Sequence, residues 1–198
     1  MSQAKKKSRP VFYIKSNDTN ENKIEITAGG VILYRIKDNE LQLLLMTNRG
    51  KYEDLGGTSE NKDKDILNTV AREVSEESNQ LIDKKSILDR IKISDYILSK
   101  TSKYILFIIK ANKYESELVS EQFGDKEIHD DIPRIIDWIP LSEFLNSETI
   151  KNKLNFRLKN RNIFEYLKKL DPNYNNDQSG SGSENISKNI SNNIVYLF

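Results

Sequence analysis

Hydrophobic and polar positions follow two different spacings along this chain, and these spacings predict both strands and helices. Residues 24–36 and 41–47 are rich in aliphatic side chains and flank the polar turn 37–40, a pattern that predicts a β-hairpin. Gly29 and Gly30 interrupt the first strand and indicate a bulge or a close approach of another backbone segment. Downstream, an apolar stripe at helical spacing predicts an amphipathic helix; its members are Ile66, Leu67, Val70 and Val74.

The second half of the chain continues with strands and then becomes helical. We expect a polar connection at residues 83–89, followed by strands at 91–98 and 104–109 that are joined by a turn. Because residues 104–109 are apolar throughout, that strand is predicted to lie in the middle of the sheet. Apolar residues between 154 and 170 predict a C-terminal helical region that is broken near Asn160.

The predicted amphipathic helix carries a cluster of acidic residues. Glu73, Glu76 and Glu77 stand at i, i+3 and i+4, so their carboxylates share one face. Like charges at these spacings destabilise an isolated helix by roughly 0.2–0.5 kcal/mol per pair. A bound cation would offset this repulsion, and carboxylate oxygens favour hard metals such as Mg²⁺ or Mn²⁺. The alternative interpretation is an acidic helix face that is only solvated.

The acidic helix and the glycines before it match a longer sequence pattern. Gly56 and Gly57, followed at a distance by Arg-Glu-Val-Ser-Glu-Glu at 72–77, resemble the Nudix box. In that box a glycine is followed by five residues, a glutamate, seven residues, and then Arg-Glu-aliphatic-any-Glu-Glu-any-Gly-aliphatic. The run at 72–77 matches the first six positions of the second half. Asn79 occupies the late glycine position, where it is the next most tolerant residue for a left-handed helix end, and Gln80 occupies the aliphatic position.

The first half of the box is displaced by one residue. Counting back from Arg72, the glycine position falls on Thr58 and the first glutamate position on Lys64. Counting forward from Gly57, the glutamate position falls on Asp63, which keeps a carboxylate there. We therefore expect one extra residue in the loop before the helix, with the carboxylate cluster intact.

The resemblance covers about residues 24–170 and implies a fold and a reaction. The implied fold class is α/β (α+β), with the Nudix fold of a mixed β-sheet sandwiched between α-helices. Proteins of this family hydrolyse a nucleoside diphosphate linked to another group, by attack of water on the pyrophosphate linkage. The stretch 135–144, in which a strand carrying Trp138 leads through Pro140 into a short helix, is also similar to the family's pattern.

Roles for individual residues are implied by the same resemblance. Glu73 and Glu77 are the expected metal ligands, the carbonyl of Gly57 completes the coordination, and the cofactor is Mg²⁺ or Mn²⁺. Glu76 is either a metal ligand or the catalytic base that takes a proton from water. Arg72 is expected to pair with a carboxylate and hold its orientation, or else to touch phosphate.

Other residues near the box have open roles. A further metal ligand or base is expected in the acidic segment that follows the last central strand, and Glu127 and Glu121 are the candidates. Arg49 and Lys51, in the loop ahead of the box, either reach substrate phosphate or are only exposed. His129 is the single histidine of the chain, and we expect it to be incidental.

Composition restricts the class of protein and its partners. The net charge of +1 gives no overall attraction to nucleic acid or membrane, and the absence of cysteine excludes disulfide scaffolds and thiolate chemistry. We find no secretory signal and no membrane-spanning run, so we expect a soluble cytoplasmic protein. We divide the 198 residues into a basic arm with a possible edge strand at 1–22, a Nudix hydrolase domain at 23–170 and a disordered Asn/Ser/Gly-rich tail at 171–198.

Three functions remain open on these grounds. The first is a hydrolase of a small soluble diphosphate, and the second is an enzyme that removes a cap or a diphosphate from RNA 5′ ends. The third is a Nudix-fold binding module without catalysis, against which the intact glutamates argue. Basic residues in the arm and the C-terminal helical region favour RNA, unless they are only solvated. They are Lys5, Lys6, Lys7, Arg9, Lys151, Lys153, Arg157, Lys159, Arg161, Lys168 and Lys169.

Overall fold

A mixed β-sheet with helices packed on both faces forms the body of the protein. The computed structural model describes residues 9–15, 23–127 and 130–173. The strands in these ranges are β1 Phe12–Lys15, β2 Lys23–Ile26, β3 Ala28–Lys37, β4 Glu40–Asn48, β5 Lys51–Glu53, β6 Leu55–Thr58, β7 Tyr96–Ser99, β8 Tyr104–Lys110, β9 Lys126–Glu127 and β10 Asp130–Pro140. β1 pairs with β2, and the main sheet has the order β7-β8-β3-β4-β10-β9, with β5 beside β4 and β6 beside β3. β3 and β8 run parallel, and the other pairs are antiparallel.

The helices divide between the two faces of the main sheet. They are α1 Ile66–Glu77, α2 Lys84–Ile91, α3 Lys113–Glu117, α4 Leu141–Asn146, α5 Glu148–Lys153 and α6 Arg161–Leu170, with 3₁₀ turns at Ser120–Phe123 and Phe156–Lys159. The apolar sides of α1 and α2 pack on one face, against residues such as Met46 and Ile136. α4, α5 and α6 cover the other face, against residues such as Ile32 and Leu43. The predicted class, α+β with a mixed sheet between helices, is confirmed.

The predicted hairpin is present and its turn has the expected chemistry. β3 and β4 are joined by Asp38 and Asn39, whose φ angles of 52° and 62° are those of a two-residue turn that matches the twist of a hairpin. The glycine pair 29–30 stays in register and lies directly opposite the pair 56–57 of β6. The glycines of β3 therefore mark a close approach of two backbones and not a bulge. β8 lies between β7 and β3, so its prediction as an interior strand is confirmed.

The elements predicted between 83 and 98 are wrong at their boundaries. The expected polar connection and the start of the expected strand are instead helix α2. Asp83 caps this helix, and its side chain accepts a hydrogen bond from the backbone N–H of Ser86 at 2.6 Å. Ile87 and Ile91 are fully buried and lie four positions apart, so the apolar residues here follow helical spacing. The strand is confined to β7.

The C-terminal elements follow the predicted order. β10 carries Trp138 and leads through Pro140 into α4. The side chain of Asn160 accepts a hydrogen bond from the backbone N–H of Asn162 at 3.0 Å, which caps α6 after the preceding 3₁₀ turn. The predicted break near Asn160 is therefore confirmed.

Some predictions concern residues that the structure does not describe. The basic residues at 5–7, His129 and the tail from residue 174 lie outside the described residues. A strand is present near the start of the described chain as β1, while the division into arm, domain and tail stays a prediction. In the ranges that are described, every helix is too short or too polar to cross a membrane.

Candidate functional site

Helix α1 carries the three candidate carboxylates and is anchored at both ends. At its start, the side chain of Asp65 accepts a hydrogen bond from a backbone N–H of the first turn at 2.8 Å. After its end, Asn79 has a φ of 52°, the left-handed conformation predicted for this position. The Asn79 amide also donates to the carbonyls of Phe123 and Lys126 at 2.8 and 2.9 Å. Asparagine therefore ties α1 to the segment that leads into Glu127, which a glycine could not do.

The backbone of β6 lies directly against the carboxylates of α1. The N–H of Gly56 donates to Oε2 of Glu77 at 2.6 Å. A Cβ at position 57 would overlap the carboxylate of Glu73, so this close approach requires glycine there. The geometry thus brings Gly57 to the carboxylates, and the role of its carbonyl as a metal ligand stays a prediction.

Arg72 is buried beside the cluster, with its side chain only 5% exposed. Nε and Nη2 donate to the two oxygens of Asp63 at 2.9 and 3.0 Å. Nη1 lies 2.7 Å from Oε2 of Glu76 and 3.0 Å from Oε1 of Glu73. These contacts favour the predicted role of holding carboxylates in orientation over the alternative of a phosphate contact. Asp63, at the displaced glutamate position, supplies the carboxylate that anchors Arg72, so the lengthened loop still supports the cluster.

The three carboxylates of α1 differ in pKa because their surroundings differ. Burial raises the pKa of Glu73 to about 7, although the charge of Arg72 opposes it. Burial, together with the charges of Glu73 and Asp54, raises the pKa of Glu77 well above its ordinary value. Burial acts in the same direction on Glu76, but its hydrogen bonds, chiefly from Arg72, outweigh it and the pKa of Glu76 is lowered. Negative charge at Glu73 and Glu77 is therefore incompletely compensated.

The chemistry of this cluster fits a divalent cation. Buried carboxylates with raised pKa values are stabilised by any added positive charge, and carboxylate oxygens are the donors that Mg²⁺ and Mn²⁺ prefer. Among the described residues, however, no three metal-ligating side chains are already arranged to hold a metal ion. Glu76 and Glu77 instead bond to Arg72 and to Gly56. Binding of a cation would exchange some of these contacts for metal–oxygen contacts.

The other candidate residues lie at different distances from the cluster. Burial is the largest cause of the raised pKa values of Glu73 and Glu77, and the charge of Glu127 is a smaller cause in both. Glu127 is therefore close enough to interact with the cluster. Glu121 is exposed on the preceding 3₁₀ turn. Arg49 and Lys51 are exposed around the turn between β4 and β5, and their contact with phosphate stays a prediction.

Two polar residues beside the cluster have no distinctive signal in the sequence. Arg134 of β10 lies opposite Asn48 of β4 and is 5% exposed. Within the described ranges, the three guanidinium nitrogens of Arg134 and Oδ1 of Asn48 are buried without a hydrogen-bond partner. Burial lowers the pKa of Arg134, and the charges of Glu77 and Glu127 oppose it. An arginine in an alternating strand resembles any solvent-facing residue, so only the pairing of distant strands reveals this position.

A second buried polar network lies on the opposite face of the sheet. The hydroxyl of Tyr104 bonds to the carboxylate of Asp54, which is fully buried. The guanidinium of Arg157 lies 4.4 Å from the centre of the Tyr104 ring and 3.6 Å from Oδ1 of Asp54. Burial raises the pKa of Asp54, and the charge of Arg157 opposes it. Arg157, which the sequence places on a basic face open to RNA, is therefore engaged inside the protein.

Comparisons with known proteins give distant structural matches. No protein-family model matches the chain, and no curated protein matches it significantly in sequence. Similar solved structures include an Ap4A hydrolase of C. elegans in a binary complex, with 15% identity, a TM-score of 0.40 and coverage of 73% of this chain and 94% of that chain. Another is NrtR of Shewanella oneidensis complexed with a 27mer DNA, with 16% identity, a TM-score of 0.36 and coverage of 72% and 62%. Similarities this distant carry no argument about activity or ligands.

Proposed function

We propose that the chain is a metal-dependent Nudix hydrolase that cleaves a pyrophosphate linkage in a nucleoside diphosphate derivative or a related diphosphate. The observation that carries the proposal is the placement of Glu73, Glu76 and Glu77 on one face of α1, where Arg72 contacts the first two and the Gly56–Gly57 backbone contacts Glu77 and Glu73. These are the residues through which the sequence resembles the Nudix box. Their different contacts support a separate proposed role for each of them.

Glu73 and Glu77 are the buried carboxylates that would hold the cation, and Arg72 fixes Glu73 and Glu76. When bound, a divalent cation neutralises phosphate charge and lowers the pKa of the attacking water. Glu76 is the most exposed of the three, with 30% of its side chain accessible, and its pKa is lowered. It is therefore ionised and reachable by solvent, so we assign it the removal of a proton from water.

The proposal is tested by incubating the protein with Mg²⁺ or Mn²⁺ and a panel of diphosphates. The panel contains nucleoside diphosphate derivatives, dinucleoside polyphosphates, inositol pyrophosphates and capped RNA. Glu76→Gln and Glu77→Gln are compared with wild type, and Glu143→Gln, an exposed glutamate on α4, controls for loss of one negative charge. We expect metal-dependent cleavage of at least one compound, reduced at least about a hundredfold in the two site variants and unchanged in the control.

The panel also separates the other candidate functions. Cleavage of capped RNA alone, with activity that falls steeply as salt is raised, would assign the protein to RNA ends. Saturable binding of one compound without turnover would indicate a binding module. Absence of cleavage by wild type, or equal cleavage by wild type and both site variants, would refute the hydrolase assignment.

A further inference from the structure

Arg134 and Asn48 lie on the same face of the sheet as α1, next to the apolar residues that α1 covers. In the register of β10 with β4, Ile136 lies opposite Met46 and Arg134 lies opposite Asn48. Ile136 and Met46 are buried in the core beneath α1 and α2. Since alternate residues of a strand point to the same face, Arg134 and Asn48 also point to the α1 face. They therefore share that face with the carboxylate of Glu77.

The guanidinium of Arg134 is buried without the bonds that a buried guanidinium requires. Arg134 is 5% exposed, and none of Nε, Nη1 and Nη2 has a hydrogen-bond partner in the described parts of the chain. Oδ1 of the neighbouring Asn48 is unpaired in the same sense. Buried polar groups are nearly always hydrogen-bonded, and a buried charge is costly unless it is paired. Glu77, whose charge acts on Arg134, bonds instead to the N–H of Gly56.

We propose that Arg134 binds a phosphate group of the substrate directly. A guanidinium presents its donors in a planar fork that matches two oxygens of one phosphate. The neighbouring carboxylates can hold a phosphate only through cations, so a direct positive contact complements them. The identity of the ligand as a diphosphate rests on the proposed function, whereas the unpartnered guanidinium of Arg134 is independent of it.

A purely structural role for Arg134 gives opposite expectations. If Arg134 only balanced the charge of the glutamates, its removal would tighten binding of Mn²⁺ and leave binding of a phosphate ligand unchanged at saturating metal. If it binds phosphate, its removal weakens the phosphate ligand even when metal is saturating. The two roles therefore differ in a quantity that can be measured without turnover.

The test uses the full chain, saturating Mg²⁺ and imidodiphosphate, an analogue of pyrophosphate with a nitrogen bridge that resists hydrolysis. Affinity is measured by isothermal titration calorimetry for wild type, Arg134→Met and Asn48→Asp. We expect Arg134→Met to lose at least about tenfold in affinity, the size expected for charge-assisted hydrogen bonds. We expect a similar loss in Asn48→Asp, because the new carboxylate pairs with Arg134 and repels phosphate. Asn48→Asp supplies the missing partner of Arg134, so it also keeps the fold intact.

The outcomes separate this inference from the proposed function. Wild-type affinity for imidodiphosphate in both variants would overturn it, and so would failure of wild type to bind the analogue. Loss of binding in the variants, with no cleavage of any diphosphate by wild type, would support the phosphate site and refute the hydrolase. Normal hydrolysis with an unchanged KM in both variants would refute the phosphate site and support the hydrolase.

Discussion

The ionisation of Glu73 is coupled to folding, so its environment can be tested without any substrate. Burial raises the pKa of Glu73 to about 7 from an ordinary value of 4.5, and its side chain is 15% exposed. A carboxyl group whose pKa is raised on folding contributes stability that is complete below pH 4.5 and is lost as the pH rises to about 7. Glu73→Gln removes this titration while it keeps the size of the side chain.

The magnitude follows from the difference between the two pKa values. At about 1.4 kcal/mol per pKa unit, the burial of Glu73 makes roughly 3 kcal/mol of stability dependent on pH, and most of it is lost between pH 5 and pH 8. The charge of Glu73 also helps to raise the pKa of Glu77. Glu73→Gln therefore also lowers the pKa of Glu77, which further reduces the dependence of stability on pH.

The assay is urea unfolding followed by circular dichroism at pH 5, 6, 7 and 8, with a chelator present. Between pH 5 and pH 8, we expect the free energy of unfolding of wild type to fall by roughly 2 to 3 kcal/mol more than that of Glu73→Gln. Glu121→Gln, which changes an exposed glutamate, is the control and should follow wild type. Adding Mg²⁺ at pH 8 should restore stability to wild type more than to Glu73→Gln. Parallel curves for wild type and Glu73→Gln would refute both the burial and the charge coupling.

Three further predictions concern the surroundings of the cluster. Gly57→Ala should change the free energy of unfolding by less than about 1 kcal/mol, because the flexible Glu73 side chain can move away from the added methyl group. It should nevertheless lower diphosphate hydrolysis about a hundredfold, because the carboxylate of Glu73 is displaced. Hydrolysis equal to that of wild type would contradict the close approach of Gly57 and Glu73. Asn79→Ala should lower the free energy of unfolding in urea by about 2 kcal/mol, because alanine disfavours the left-handed φ and cannot bond to the carbonyls of Phe123 and Lys126. Asn79→Gly should lower it by less, because glycine tolerates the left-handed φ. Glu127→Gln should weaken Mn²⁺ binding in a calorimetric titration while Glu121→Gln does not, and the reverse order would exchange their roles.

Local sequence patterns predict the helix with its carboxylates better than they predict the rest of the site. The spacing of Glu73, Glu76 and Glu77 depends only on helical geometry, so it survives unchanged into the structure. The left-handed Asn79 is also a local property, because few residues tolerate that conformation. The segment that became α2 shows the limit, since a short apolar run fits a strand as well as a helix until burial decides.

The buried polar groups around the cluster depend on contacts that a sequence pattern does not contain. Arg134 meets Asn48 only because β10 and β4 pair in one particular register. Asp54, which lies just before β6, likewise meets Tyr104 of β8 because β6 and β8 both pair with β3. A shift of one residue in the pairing of β10 with β4 would place Arg134 on the opposite face of the sheet. Long-range register, which local spacing cannot specify, therefore completes the site.

At the paired glycines of β3 and β6, no side chains separate the sheet backbone from the acidic groups on its two faces. Added Cβ atoms at Gly30 and Gly56 would meet the Tyr104 hydroxyl on one side, and one at Gly57 would meet Glu73 on the other. The charge of Asp54 on one face is accordingly among the causes, after burial and Glu73, that raise the pKa of Glu77 on the other face. A substitution that removes the charge of Asp54 on one face is therefore expected to lower the pKa of Glu77 on the other face.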